Sequence, residues 1–301
     1  MKNNQSGYKS GFVSIVGRTN VGKSTLLNKA LGQKVAIMSD KPQTTRHKIS
    51  LVLSGDHAQI IFLDTPGIHK PQHKLGQHLV DVALGSLREV DVVLFMVEAF
   101  PPGSGDKYVL KRLKELNGPV ILVINKIDLV NKEQLAKVID FWWQEHHFDE
   151  VFPVSALNGE NVQSLVEKII EYLPEGPQYY PDDMITDKPE RFIMAELIRE
   201  KVLHLTSQEI PHSISVMVDE VKKRSDDLVL VNATVFVERD SQKRIIIGKG
   251  GSMLKQVGQL ARKEIELLLG SRIYLDIWVK VKKDWRNHDG LLRTLGYYED
   301  S

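Results

Sequence analysis

Short apolar runs rich in β-branched residues recur through the first half of the chain, at Phe12–Val16, Ile49–Leu53, Gln59–Leu63, Val92–Val97, Val120–Ile124 and Val151–Val154. Half are apolar at every position and the others carry a single polar residue, the pattern of strands buried on both faces of a sheet. Between them, segments near 23–31, 75–88, 105–116, 132–146 and 160–172 carry apolar residues at helical spacing. This alternation predicts one doubly wound α/β domain over residues 11–173. A proline- and acid-rich stretch, 174–189, then reads as a linker. Beyond it the rhythm changes. A helical pattern over about Glu190–Leu205 precedes two alternating strands, Ile214–Val218 and Val229–Val237. Then come the apolar Ile245–Ile247, a glycine turn, a helix to about Leu269 and a last strand, Arg272–Val281. We expect an α-β-β-α-β order for this second domain, 190–285, with the glycine turn between its second strand and a helix. Residues 1–10 and 286–301 are expected to be tails.

The first strand runs into Gly17-Arg18-Thr19-Asn20-Val21-Gly22-Lys23-Ser24, followed by Thr25 on a helical segment. A triphosphate needs many inward-pointing N–H donors, and a glycine-rich turn at a helix N-terminus supplies them with the favourable end of the helix dipole. In this phosphate loop Lys23 is expected to meet the β- and γ-phosphates and Ser24 to hold Mg²⁺. The strand 59–63 ends in Asp64-Thr65-Pro66-Gly67, followed by Ile68. Such a turn is usually structural, but downstream of a phosphate loop it places a carboxylate near the Mg²⁺ shell and a glycine amide toward the γ-phosphate.

Asn125-Lys126-Ile127-Asp128 follows the strand 120–124. Asp128 can accept two hydrogen bonds from the N1–H and exocyclic amine of guanine. Adenine offers no such donor pair, so ATP would leave the carboxylate unpaired, at a cost of about 1 to 3 kcal/mol. Asn125 is expected to brace the loop, and the Lys126 stem to cover one ring face. Ser155-Ala156-Leu157 carries little information alone, yet at the end of the next strand it matches an element whose Ala156 amide meets the guanine oxygen. The nucleotide is therefore GTP, with Mg²⁺.

Composition narrows the alternatives. The 301 residues are 42% hydrophobic, enough for two cores, and the net charge of +1 neither suggests nor excludes nucleic acid. The absence of cysteine removes disulfides, cysteine-ligated zinc and thiol catalysis. The polar Met1–Ser10 lacks the apolar core of a secretion signal, and the longest largely apolar run, Val90–Val97, is too short to span a bilayer. A soluble cytoplasmic protein is expected.

In the second half, a Gly-x-x-Gly turn, Gly248-Lys249-Gly250-Gly251, lets a nucleic-acid backbone approach closely. Lys249 offers a phosphate contact, and an apolar groove beside Ile245–Ile247 would hold a few unpaired bases. A flexible hairpin or a second phosphate site would look similar. From Arg239 to Arg286, however, twelve Lys or Arg stand against five acids, a local excess of +7 in a nearly neutral chain. A protein-binding second domain on a GTP-regulated scaffold remains the alternative. A kinase or ATPase using the same phosphate loop is disfavoured by Asp128.

The motifs Gly17–Ser24, Gln43-Thr44-Thr45-Arg46-His47, Asp64–Gly67, Asn125–Asp128 and Ser155–Leu157, followed by Ile247-Gly248-Lys249-Gly250-Gly251, stand in the order of the Era family. The chain resembles these bacterial GTPases over nearly its whole length. The resemblance implies a P-loop NTPase fold of the Ras-like GTPase type followed by an α+β type II KH domain. It implies that Ile247–Gly251 bind the 3′ end of 16S ribosomal RNA during maturation of the small (30S) subunit, with a coupling to growth and the cell cycle. It also implies a monomer without a DNA partner and weak peripheral association with the cytoplasmic face of the inner membrane.

Many small GTPases place a glutamine after the Asp-x-x-Gly glycine to orient the attacking water. Here Ile68 stands there, and slow intrinsic hydrolysis is expected, with Lys23, Thr45 and Gly67 as the catalytic groups. Thr45, rather than Thr44, is the expected switch threonine, completing a Mg²⁺ set with Ser24 and Asp64, the last through water. His69 reads as a solvated switch histidine, and Pro71 argues against a His69/His73 metal pair. Asn20 reads either as a loop brace or, as related GTPases suggest, as the seat of a K⁺ ion. Trp142 and Trp143 read as packing residues.

Overall fold

The computed structural model describes residues 7–39, 41, 44–68, 73–87, 90–116, 118–206, 210–225 and 227–297, without the side chains of 211 and 212. Gln43 and His69, singled out above, lie outside the described residues. The chain forms two compact units, one of Met1–Met38, Thr45–Gln72 and Gly76–Asp187, the other of Ser39–Thr44, His73–Leu75 and Lys188–Ser301.

The first unit is built on a six-stranded sheet in the order β2-β3-β1-β4-β5-β6. Its strands are β1 (Lys9–Val16), β2 (Ile49–Ser54), β3 (Ala58–Asp64), β4 (Val92–Glu98), β5 (Val120–Asn125) and β6 (Glu150–Val154). All pairings are parallel except β2–β3. β3, β4 and β5 are buried along almost their whole length, as their unbroken apolar runs require. The helices are α1 (Lys23–Leu31), α2 (Lys74–Gly85), α3 (Ser104–Leu113), α4 (Lys132–Glu145) and α5 (Val162–Tyr172). β1 has β3 on one side and β4 on the other. The strand order therefore reverses at β1, and ligands of open α/β sheets bind at the carboxyl ends of strands at such a point.

Trp142 is wholly buried, edge-on to Phe95 of β4 at 5.3 Å between ring centroids. Trp143, expected to pack as well, is 45% exposed instead. One residue along α4 turns the side chain by about 100°, off the buried face. The stretch read as a linker runs back along the first unit. Val52 donates to the carbonyl of Ile185 (2.8 Å), Asp187 accepts from the backbone and hydroxyl of Ser50, and Gln59 pairs with the backbone of Tyr179 and Tyr180.

The second unit holds α6 (Glu190–Leu205), α7 (Ile210–Ser213), a three-stranded sheet of β7 (Ser215–Ser225), β8 (Leu228–Val237) and β9 (Arg272–Val281), and the helices α8 (Asp240–Ile247), α9 (Ser252–Leu269) and α10 (Asp289–Thr294). β8 lies between β7, antiparallel, and β9, parallel. Ile245–Ile247, expected before the glycine turn as an apolar segment distinct from any helix, form the last turn of α8. A side-chain cap by Gln242 decides it. Gln242 Oε1 accepts from the amides of Glu238 (2.9 Å) and Arg239 (3.0 Å), and Gln242 and Ile246, one turn apart, are both buried. The glycine turn thus joins two helices.

Candidate nucleotide and nucleic-acid sites

The carboxyl end of β1 leads through Gly17–Gly22 into α1. Two glycines are there because nothing larger fits. A Cβ on Gly17 would lie 2.3 Å from the carbonyl oxygen of Met96, and one on Gly22 (φ 105°) 2.3 Å from Nδ2 of Asn125. Asn20 takes a left-handed φ of 67° and is exposed at the tip of the loop, with Thr19 half-buried and Val21 buried before it turns into α1. Thr25 follows Ser24 on the first turn of α1.

Lys23 is buried, and its Nζ donates to the carbonyls of Gly17 (3.4 Å) and Arg18 (3.1 Å). Burial lowers its pKa to about 8, with the nearby Asp64 carboxylate acting in the opposite direction. Around it, three oxygens converge. Ser24 Oγ lies 3.1 Å from Thr45 Oγ1, and Asp64 Oδ2 is 3.3 Å from Ser24 Oγ and 3.2 Å from Thr45 Oγ1. Two hydroxyls and a buried carboxylate form a hard oxygen donor set, the kind that suits Mg²⁺ shared with substrate phosphates. Among the described residues there is no cluster of three His, Cys, Asp or Glu that could hold a metal by itself.

The switch turn after β3 sits against the loop. A Cβ on Gly67 would come within 2.7 to 2.9 Å of Thr19, and the amide of Ile68 donates to the carbonyl of Gly17 at 3.1 Å. Thr65 faces away from this centre, its hydroxyl donating to the carbonyl of Ile15 (2.9 Å), and Pro66 is buried beside it. The Ile68 side chain, 1% exposed, packs in the core with Val16, Leu87 and Val97.

Asn125 ties three segments together. Its Nδ2 donates to the carbonyl of Val21 (2.8 Å), and its Oδ1 accepts from the amide of Ala156 (2.9 Å). Asp128, in the short 3-10 turn Ile127–Leu129, accepts from the hydroxyl of the buried Ser155 at 2.6 Å. Leu157, by contrast, is 74% exposed, so within that triplet the buried Ser155 and Ala156 make the contacts. Lys126 has a left-handed φ of 68°, and its ammonium pairs with Glu98. The Arg18 guanidinium, placed by sequence among the nucleotide contacts, also turns to Glu98 and to Asp106. Sequence reasoning missed Glu98 and Asp106, which carry no local motif.

In the second unit the Gly-x-x-Gly turn has three left-handed glycines, Gly248 (φ 75°), Gly250 (58°) and Gly251 (80°). A Cβ on Gly248 would lie 2.7 Å from that of Met253, whereas Gly250 and Gly251 border open space. Lys249 is exposed beside them and Ile247 is half-buried. The adjoining groove, of about 1020 Å³, lies between α9 and β9 and is lined by Gly251, Leu254, Lys255, Arg262, Tyr274 and Ile277 among others. It was expected beside Ile245–Ile247. Of those residues, Ile246 turns into the core, Ile245 is exposed on α8 and Ile247 is half-buried.

The GTPase family described as a 50S ribosome-binding GTPase matches residues 12–126, and the KH domain family matches residues 209–286. A crystal structure of Era in complex with MgGDPNP and nucleotides 1506–1542 of 16S ribosomal RNA is 45% identical, covering 97% of this chain and 100% of that one, with a TM-score of 0.93. The chain belongs to the Era family. A second Era, from Aquifex aeolicus, carrying a tyrosine-to-alanine change and bound to GDP·AlF4⁻, is 45% identical over 97% of this chain and 100% of its own, with a TM-score of 0.92. The Era fold is thus present throughout, a Ras-like GTPase unit followed by a type II KH unit. No helix among the described residues is long and apolar enough to cross a membrane.

Proposed function

We propose that this chain binds GTP with Mg²⁺, hydrolyses it to GDP and phosphate, and binds the 3′ end of 16S ribosomal RNA through its KH unit during maturation of the small ribosomal subunit. The observation that carries the reading is the convergence of Ser24, Thr45 and Asp64 oxygens within 3.3 Å at the mouth of a glycine-shaped phosphate loop. Membership of a family whose solved members hold MgGDPNP, GDP·AlF4⁻ and that RNA supports it.

Ser24 and Thr45 hold the metal, with Asp64 acting through water, and bound Mg²⁺ offsets charge on the phosphate oxygens. Lys23, released from the Gly17 and Arg18 carbonyls, meets the β- and γ-phosphates. The Gly67 amide faces the γ-phosphate, and Gly is required there because Thr19 leaves no room for a side chain. Asp128 reads the two guanine donors, Ser155 fixes its carboxylate, and Ala156 presents its amide to the guanine oxygen. Hydrolysis is slow without an activator, because the buried Ile68 cannot orient a water. A K⁺ ion seated at Asn20, exposed at the left-handed loop tip, would offset charge developing between the phosphates.

Lys249 and the left-handed glycines grip the RNA backbone, and the groove of α9 and β9 takes a few unpaired bases. The chain works as a monomer in the cytoplasm. Peripheral membrane association and a coupling to growth and the cell cycle rest on the family likeness alone.

The test is GTP turnover with and without a single-stranded RNA copying the 16S 3′ end, against a scrambled RNA. Sequence-specific stimulation is expected. Intact turnover with no RNA binding at low salt would assign the second unit to a protein partner and overturn the RNA half of the reading.

A further inference from the structure

Glu98 ends β4 directly opposite Asn125 in the β4–β5 register, so its side chain leaves the sheet between the phosphate loop and the base loop. It is largely buried and takes one cation on each oxygen: Oε2 pairs with Nη2 of Arg18, Oε1 with Nζ of Lys126. Arg18 is anchored a second time, its Nε lying 3.2 Å from Oδ1 of Asp106. Asp106 is itself fixed, because its Oδ2 accepts from the amide of Gly103 (2.9 Å) at the start of α3. Two cations and two carboxylates thus form a neutral chain from Lys126 through Glu98 and Arg18 to Asp106. Its pairs join residues 28, 80 and 88 positions apart.

We propose that Glu98 is a positioning residue for the guanine nucleotide, holding the Lys126 stem over the ring face and drawing the phosphate-loop Arg18 aside so that only its backbone faces the phosphates. The inference rests on the GTP reading above. A lysine stem covers a ring face only if its ammonium is anchored beyond the ring, since otherwise its several rotatable bonds let it swing into solvent. Lys126 starts from a left-handed backbone, and Glu98 supplies the anchor. Without the carboxylate, Arg18 and Lys126 would be like charges facing one another, and Arg18 would keep only Asp106. The carboxylate acts through Lys126 and Arg18 rather than by meeting the γ-phosphate, so its contribution is the same for GTP and GDP and is uniform between ground and transition states.

The experiment measures GDP, GTP and ATP binding to the full chain by fluorescence titration, with steady-state kinetics, for wild type, Glu98→Gln, Glu98→Ala, Lys126→Ala and the Glu98→Ala/Lys126→Ala double variant. Removing the charge-assisted pairs is expected to weaken GTP and GDP alike by about tenfold, raising KM with kcat retained at saturation. The double variant is expected to bind little worse than Glu98→Ala alone, because the Lys126 stem covers the ring only while Glu98 holds it. Additive losses, a fall in kcat without a rise in KM, or wild-type affinity in Glu98→Gln would each overturn the proposal. Thermal melting without nucleotide separates this from misfolding. Should Glu98→Ala fail to fold, the near-isosteric Glu98→Gln decides alone. If wild type binds ATP as well as GTP, the guanine reading itself fails, which a wild-type preference for GTP with unaffected Glu98 variants would not imply.

Discussion

The buried Lys23 makes nucleotide binding a proton-coupled event. Its ammonium lies among loop carbonyls in a site that lowers its pKa from 10.5 to about 8, through burial that Asp64 only partly offsets. Phosphates arriving beside it favour the charged form, so the complex holds Lys23 protonated well above pH 8. Below about pH 7 the empty site is already charged and binding takes up almost no proton. At higher pH the proton must be acquired, and affinity falls about twofold at pH 8 and about tenfold at pH 9 relative to pH 7, following the fraction of empty protein still protonated. Titration calorimetry of GDP at pH 9, in two buffers of different ionisation enthalpy, reads the uptake directly, expected to approach one proton.

Stability of the empty protein moves the other way. The folded pKa lies below the unfolded one, so between about pH 8 and 10.5 the unfolded chain binds more protons, and stability rises with pH across that window. A shift from 10.5 to about 8 corresponds to about 3 kcal/mol in full, absent in Lys23→Met. Equal GDP affinity at pH 7 and 9 with no proton uptake, together with a melting profile over pH 8 to 10 that Lys23→Met leaves unchanged, would refute the reasoning.

Three further outcomes follow from single side chains. Asn20→Asp should abolish any excess of GTP turnover in K⁺ over Na⁺, and equal wild-type rates in the two salts would remove the ion from the mechanism. Lys249→Ala should weaken binding of the 16S 3′ RNA across sequences and lower the slope of log affinity against log salt by about one, measured by titration at several salt concentrations. Trp142→Ala, which empties a wholly buried site against Phe95, should cost about 3 to 5 kcal/mol in denaturant unfolding, while Trp143→Ala next to it should stay within about 0.5 kcal/mol.

The strands and nucleotide loops were legible in the sequence because the chemistry fixes their spacing. A phosphate loop needs Gly17, Gly22 and Lys23 at set intervals after a buried strand, and β1, β3, β4 and β5 are largely apolar because both faces are covered. Local pattern failed where a distant or subtle partner decided. Three consecutive isoleucines carry no helical period, yet Ile245–Ile247 are helical because Gln242 caps the start of α8 and Ile246 fills the core. Intrinsic propensity is a weak prior against one side-chain cap and one buried side chain. Trp142 and Trp143 are identical in sequence chemistry and differ only in the rotation of α4 against the sheet.

The least legible part of the site is the one that joins its loops. Glu98 follows an apolar strand as many carboxylates do, and nothing near it in sequence names Arg18, 80 positions away, or Lys126, 28 away. Motifs mark the groups that touch a ligand, since the ligand's own geometry fixes their spacing. A group that orients those residues answers only to the fold, and any chain position that reaches the same point in space can supply it. Phosphate and base contacts are therefore written in the sequence, whereas the connection between them, through Asn125 to Val21 and Ala156 and through Glu98 to Arg18 and Lys126, exists only once β4 and β5 lie side by side. Changing Glu98 should accordingly disturb two motifs at once while altering neither.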